Sequence, residues 1–119
     1  MCKRGDIYFV DFGENIESSK QCGIRPAVIV SNNRANEHSP VITVVPLTAR
    51  TYKKRFLPTH VFIPKCCGLN KNSLALAEQV ESIDKKNLLE KRGHISDASI
   101  MDQITQALQI QIGMDDRYN

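Results

Sequence analysis

Apolar and polar positions along the chain fall into short runs with β-branched, aromatic or small apolar residues, and such runs are typical of β-strands. Strands are predicted at 7–12, 27–31, 41–47, 60–64 and 73–80, with a last short strand at 92–95. Pro46 has no N–H to donate to a neighbouring strand. It therefore predicts an edge or a bulge near the end of the third strand.

Helical periodicity is confined to the end of the chain. Apolar residues recur there at three- and four-residue spacing, at Ile100, Ile104, Ala107, Leu108 and Ile112. Ser96 or Asp97 can cap this helix, and Gly113 can stop it. Residues 32–36 predict a turn, and 83–89 predict a short helical turn with Ser82 as its N-cap. The pattern predicts a mainly β fold, a small curved antiparallel sheet or barrel with the C-terminal helix packed on it.

Composition narrows the class of protein. A chain of 119 residues, 41% of them hydrophobic, fits a single domain over 1–119 with one core. The formal charge of +3 permits a polyanionic partner without requiring one. No apolar stretch approaches the roughly 20 residues that span a bilayer, so no membrane partner is expected. Residues 1–6 lack the apolar region of a secretion signal, which predicts a cytoplasmic protein.

Familiar metal and catalytic motifs are missing from the sequence. The cysteines are Cys2, Cys22, Cys66 and Cys67. They show no CxxC spacing, and adjacent cysteines are poor joint ligands for one tetrahedral metal, so free thiols and no metal are expected. There is also no P-loop, GxSxG or HExxH motif. His38, His60 and His94 are each interpreted as surface or structural residues, and the Arg4-Gly5-Asp6 triplet as a coincidental match to an adhesion motif.

Arg25 is the first candidate for function. It lies between Gly23 and Pro26 at the start of an apolar run. A cation at the mouth of a buried strand is costly unless it meets a partner or a bound anion. Guanidinium is well suited to bidentate contact with phosphate. A structural ion pair, for example with Glu78, explains the pattern equally well.

Thr48 is the second candidate, because it ends the strand that follows Arg25. If the two strands are neighbours, both side chains lie at a similar height on the sheet. Together they can stabilise the extra negative charge that builds on phosphorus when an internal hydroxyl attacks it. A strand-end threonine that bonds its own turn is an equally good interpretation.

Two polar segments complete the candidate site. Segment 13–23 is long for so small a domain, and long loops in compact domains are often functional. A hairpin tip without a function fits the pattern equally well. Segment 50–55 places cations around Tyr52, which suits a phosphate backbone with a stacked base. A solvated basic loop is the more ordinary explanation of that run.

Blocks spread along the chain resemble one protein family. They are RGDIYFVDF at 4–12, GIRPAVIVSNN at 23–33, VVPLTAR at 44–50, PTHV at 58–61, LAEQVESIDK at 76–85 and ALQIQIG at 107–113. Each block is weak by itself, but their order and spacing are specific. Taken together they resemble the MazF/PemK family of toxin endoribonucleases over almost the whole chain.

This resemblance implies a fold and an activity. The fold would be the SH3-like barrel or curved sheet of the MazF/CcdB/Kid toxins. The protein would be a homodimer that cuts single-stranded RNA, including mRNA, at short sequences. It would need no metal or other cofactor and would leave a 2′,3′-cyclic phosphate and a 5′-hydroxyl. A cognate MazE-like antitoxin would neutralise it by covering the RNA site, and the two would bind DNA together.

The resemblance also assigns residues. Arg25 and Thr48 fall on the catalytic positions, and segment 13–23 falls on a loop that closes over RNA. RNA contacts are expected from Ser19, Lys20, Gln21, Tyr52, Lys53, Lys54 and Gln79. Because arginine is effectively always protonated, Arg25 is expected to stabilise charge, and the general base is left unassigned.

Two other functions compete with this one. A non-catalytic toxin on the same fold, like the CcdB proteins that poison DNA gyrase, would not need Arg25 or Thr48 and would use the tail at 114–119. That tail is short and has no clear docking pattern. An inactive nucleic-acid-binding domain is the other rival, and the retained arginine and threonine argue against it.

Overall fold

The structure is a computed structural model that describes residues 1–14, 22–51 and 57–119. Its strands are β1 (Asp6–Asp11), β2 (Ile24–Ile29), β3 (Val41–Thr48), β4 (His60–Ile63), β5 (Ser73–Leu76), β6 (Glu81–Asp84) and β7 (Leu88–His94). Its helices are α1 (Asn33–His38) and α2 (Ala98–Gln111). The predicted mainly β fold with a C-terminal helix is confirmed.

The strands form one antiparallel sheet in the order β4-β5-β3-β2-β1-β7, and β6 also pairs with β3. Within the described residues the two outer strands of this path, β4 and β7, do not pair with each other. The sheet is therefore curved and open, so of the two predicted forms it is the sheet rather than the closed barrel. β1, β2 and β3 each have neighbours on both sides, and β2 and β3 lie in the middle of the sheet.

Pro46 lies inside the central strand β3, so the predicted edge position is wrong. One side of β3 pairs with β2, and Pro46 is opposite Ala27 there. The other side pairs first with β6, as far as Val44, and then with β5, from Leu47 onwards. A residue without an N–H is tolerated at this point because the partner strand changes there.

The segment predicted as a helical turn at 83–89 is extended over most of its length. Ser82 is not a cap but a strand residue opposite Thr43. Ile83 is buried between two exposed neighbours, the two-residue alternation of a strand. A 3₁₀ turn at Lys85–Asn87 then leads into β7, which begins earlier than expected. Pairing with β3 decides the conformation here, because it satisfies the backbone of so short a segment.

Two other predicted elements have different boundaries in the structure. The predicted turn at 32–36 is mostly the short helix α1, whose first N–H groups are satisfied by Asn32: its side chain accepts from Ala35 N at 2.8 Å. The fully buried Asn36 bonds Ser31 through both side-chain atoms. The strand predicted at 73–80 ends at Leu76 and continues as a 3₁₀ turn, Ala77–Gln79.

Helix α2 covers one face of the sheet. Its buried residues Ile100, Ile104 and Ala107 pack into the larger core cluster. A second, smaller cluster lies on alternate positions of the strands. Asp97 caps the helix by accepting from Ser99 N at 2.8 Å, and Gly113 ends it with φ +81°. Among the described residues, no helix is long and apolar enough to cross a membrane.

The Arg4-Gly5-Asp6 triplet fastens the start of the chain to the rest of the fold. The Arg4 guanidinium donates to the Val30 carbonyl and to Thr105 Oγ1 on α2. The buried Asp6 carboxylate lies 2.7 Å from His94 Nδ1. These contacts tie β1 to β2, β7 and α2, so the triplet has a structural role.

Candidate active site

The register of the central strands brings Arg25 and Thr48 together. Strands β2 and β3 pair Ala27 with Pro46 and Val28 with Val45. Continuing this antiparallel register places Arg25 opposite Thr48, at the end of the sheet where β2 begins and β3 ends. Both side chains line one cleft of about 260 Å³. The expectation that the two residues are neighbours is therefore met.

Arg25 lies in an environment different from the one predicted. Strand β2 begins at Ile24, so Arg25 is within the strand, and its side chain is exposed. The expected desolvation cost of a buried cation does not apply here. The guanidinium Nε donates to the Cys22 carbonyl at 3.1 Å, and among the described residues no acceptor engages its Nη groups. The two Nη groups, with four N–H donors, are thus left to face an anion.

The proposed ion pair between Arg25 and Glu78 does not form. Glu78 instead accepts from Thr59 Oγ1 at 3.0 Å and lies 2.7 Å from His60 Nε2. Thr59 and His60, at the start of β4, hold the Glu78 carboxylate. Arg25 therefore keeps its full positive charge at the cleft without compensation from Glu78.

Thr48 is buried, with 6% of its surface exposed. Its Oγ1 accepts from Arg50 N at 3.2 Å, so the turn-bonding interpretation is correct. That bond uses the oxygen as an acceptor and fixes the side chain in place. The hydroxyl proton is still able to donate into the cleft. The structural role and the proposed role are therefore compatible.

Two further cations line the cleft, and no sequence motif had singled them out. They are Lys71, from the turn before β5, and Arg92, from β7. The Arg92 guanidinium carbon lies 5.7 Å from the centroid of the Phe9 ring, which also lines the cleft. Lys71 and Arg92 are more than twenty residues apart in the sequence, and the order of the strands brings them to the same cleft. No carboxylate is found among the described lining residues, so the cleft is positively charged.

Of the other residues predicted to contact RNA, Gln79 lies in the described part of the chain. Gln79 is half-buried in the 3₁₀ turn after β5 and does not line the cleft. Ser19, Lys20, Gln21, Tyr52, Lys53 and Lys54 lie outside the described residues. The described chain resumes after the first three of these at Cys22, three residues before Arg25.

The histidines have structural partners or lie at the surface. His60 contacts Glu78 and His94 contacts Asp6, each at 2.7 Å, while His38 is exposed. None of them lines the Arg25–Thr48 cleft. In the described part of the chain, no group of three or more His, Cys, Asp or Glu side chains is placed to hold a metal ion.

Comparison with known proteins gives a consistent result. The family model described as PemK-like, MazF-like toxin of type II toxin-antitoxin system matches residues 3–112. The endoribonuclease EndoA of Bacillus subtilis (strain 168) is 40% identical over 115 residues, which cover 96% of this chain and 97% of that protein.

Solved structures agree with this match. An endoribonuclease from a mycobacterial species, in complex with its cognate antitoxin, is 29% identical and superposes with a TM-score of 0.79 over 97% of this chain and 98% of that one. MazF from Deinococcus radiodurans superposes with a TM-score of 0.78 over 95% of this chain and 97% of that one. At 22% identity, the second likeness is one of fold.

Proposed function

Because the chain belongs to the PemK-like, MazF-like toxins of type II toxin–antitoxin systems, we propose that it cleaves single-stranded RNA in the Arg25–Thr48 cleft. The family expected from the sequence is confirmed, and with it the chain is an endoribonuclease. The observation that supports the site is the placement of an exposed arginine opposite a fixed threonine hydroxyl in a cationic cleft.

The proposed reaction is a transesterification within the RNA. The 2′-hydroxyl gives up its proton as its oxygen attacks the adjacent phosphorus. The bond from phosphorus to the 5′-oxygen breaks and that oxygen takes up a proton, so that a 2′,3′-cyclic phosphate and a 5′-hydroxyl result. Negative charge builds on the non-bridging oxygens during the attack. The Arg25 Nη groups and the Thr48 hydroxyl donate to those oxygens, and such preorganised donors stabilise a developing anion. This chemistry requires no metal, because the charge is met by fixed donors.

The rest of the cleft suits a flexible strand of RNA. Lys71 and Arg92 offer cations to the phosphates on either side of the one that reacts. The Phe9 ring and the Arg92 guanidinium plane offer surfaces on which an unstacked base can stack. Bases of a duplex are not available for such stacking, so single-stranded RNA is the proposed substrate.

Two protein partners are also proposed. A cognate antitoxin would place acidic residues over the cationic cleft, and the mycobacterial relative in complex with its antitoxin supports this. A second copy of the chain would form a homodimer, as the family resemblance implies. Light scattering at micromolar concentration tests the homodimer, and a strict monomer would contradict it.

The decisive experiment incubates the purified protein with single-stranded RNA in excess EDTA and identifies the new ends. We expect cleavage with 2′,3′-cyclic phosphate and 5′-hydroxyl ends. Cleavage that returns only after metal is added would reject the metal-independent mechanism. Intact RNA under all conditions, combined with inhibition of DNA gyrase, would instead favour the non-catalytic toxin.

Arg25→Ala is the matched inactive control for this experiment. Its rate should fall by about 10²–10³, as expected when one preorganised donor to a developing anion is removed. The side chain is exposed, so its loss should leave the thermal unfolding midpoint unchanged. Full activity in a folded Arg25→Ala protein would remove Arg25 from the mechanism.

A further inference from the structure

Cys66 and Cys67 lie in the turn between β4 and β5 and have an unusual backbone. Cys67 has φ +61°, and it is the one residue other than glycine with a positive φ in the described part of the chain. Neighbouring side chains in an extended segment point to opposite sides. The left-handed conformation at Cys67 changes that direction, so the two thiols of this turn need not point to opposite sides.

The turn that holds the two thiols is rigid. Leu69 N donates to the Cys66 carbonyl at 2.8 Å and closes it. A Cβ at Gly93 would collide with the Cys67 carbonyl oxygen, and a Cβ at Gly68 would collide with the Arg92 carbonyl oxygen. Both cysteines are half-buried and pack against the larger core cluster. The thiol pair is therefore preorganised and stays within reach of solvent.

We propose that Cys66 and Cys67 form a dithiol site that captures trivalent arsenic species through both sulfurs. Arsenic(III) is a soft, thiophilic centre, and sulfur is the side-chain atom that such centres prefer. With phenylarsine oxide, two As–S bonds form and the As–O bond breaks. The two thiol protons leave with that oxygen as one molecule of water. No atom is oxidised or reduced, so no further reagent is needed.

The chemistry of Cys67 favours such a two-point ligand over a reagent for single thiols. Burial, and after it the interaction with the adjacent Cys66 thiol, raises the pKa of the Cys67 thiol to about 11. The thiol is thus protonated at neutral pH, and thiols react with alkylating agents mainly as thiolates. Arsenic(III) capture releases water and forms bonds to both sulfurs. The raised pKa of Cys67 therefore disfavours arsenic capture less than it disfavours alkylation of a single thiol.

The dithiol site also touches the wall of the cleft, and this second part of the proposal rests on the proposed function. Leu69 and Lys71, a few residues after the thiols, line the cleft. The Cys67–Gly68 backbone packs directly on Arg92–Gly93, and Arg92 lines the cleft too. The phenylarsenic group would add bulk beside these closely packed backbone segments and so displace two walls of the site. Arsenic capture should therefore inhibit RNA cleavage.

Intact-mass spectrometry of the full-length protein with one equivalent of phenylarsine oxide tests the binding. The wild-type protein should gain one phenylarsenic group less two hydrogens, and excess 2,3-dimercaptopropanol should remove it. Cys66→Ser and Cys67→Ser should each lose the stable adduct, while Cys22→Ser should keep it. Circular dichroism confirms that each variant is folded, and serine retains the backbone geometry of cysteine at both positions.

An adduct of equal stability in Cys66→Ser or Cys67→Ser would overturn the proposed site, as would no adduct on the wild-type protein. The activity arm is separate from the mass arm. Cleavage by the wild-type protein should fall about tenfold or more on capture, because displacements near 1 Å are costly in a catalytic site. Folded Cys67→Ser should be insensitive to the reagent. An adduct without loss of cleavage would overturn the coupling and leave the proposed function standing.

Discussion

At the residue scale, Arg25 is held in place without being buried. Its Nε donates to the carbonyl of Cys22, three residues earlier, so one donor orients the fork and the others face the cleft. Thr48 is fixed by the opposite arrangement, since its oxygen accepts from Arg50 N. One hydrogen bond to nearby backbone thus positions each of these two side chains, and each still has N–H or O–H donors that can bind a phosphate.

Thr48 gives the clearest test at this scale. Thr48→Val keeps the shape of the side chain but removes its hydroxyl, so the cleavage rate should fall about 10²-fold. Thr48→Ser keeps the hydroxyl and should retain most of the activity. Single-turnover cleavage of labelled RNA measures both rates. Equal rates in the valine and serine variants would show that the hydroxyl does not take part.

At the element scale, two neighbouring residues could each be the N-cap of α2. Ser96 and Asp97 are both good N-cap residues, so the sequence leaves the first residue of the helix open. The structure selects Asp97, whose carboxylate accepts from Ser99 N at 2.8 Å. The buried stripe of Ile100, Ile104 and Ala107 follows this cap and packs into the larger core cluster.

This choice predicts unequal effects of two neighbouring substitutions. Asp97→Ala removes the bond to Ser99 N and should lower the free energy of unfolding by about 1 kcal/mol. Ser96→Ala, at an exposed position outside the cap, should change it by less than about 0.5 kcal/mol. Urea unfolding followed by circular dichroism measures both. A larger loss in Ser96→Ala would mean that the helix begins one residue earlier.

The same scale shows where sequence patterns were sufficient. Runs of β-branched residues predicted β1, β3 and β4 to within about a residue, because their apolar alternation matches the two faces of a sheet. Segment 83–89, predicted as a short helical turn, is a 3₁₀ turn only at Lys85–Asn87 and is extended on both sides of it. Its pairing with β3, distant along the chain, settled the question.

At the scale of the whole molecule, the distribution of charge matters more than its total. The formal charge of +3 is modest. The order of the strands nevertheless gathers Arg25, Lys71 and Arg92 around one cleft. Local positive potential of this kind attracts a polyanion even when the net charge is small.

Binding at different salt concentrations tests this arrangement. Each phosphate contact to single-stranded RNA contributes about 0.7 to the slope of log affinity against log salt concentration. Lys71→Ala should therefore reduce that slope by about 0.7, whereas Lys86→Ala, exposed on the turn between β6 and β7, should leave it unchanged. Fluorescence anisotropy with 2′-O-methyl RNA, which lacks the attacking hydroxyl, measures binding alone. Equal slopes for both variants would place Lys71 outside the RNA path.

The sequence by itself determined the mainly β class, the C-terminal helix and the family, and it predicted the pair Arg25 and Thr48. These follow from local periodicity and from short blocks of residues, which are properties of neighbours along the chain. The tertiary structure decided the open sheet, the strand at β6, the exposure of Arg25 and the arrival of Lys71 and Arg92 at the cleft. Those features arise from pairing between distant segments, and no local pattern contains the register of a long-range pair.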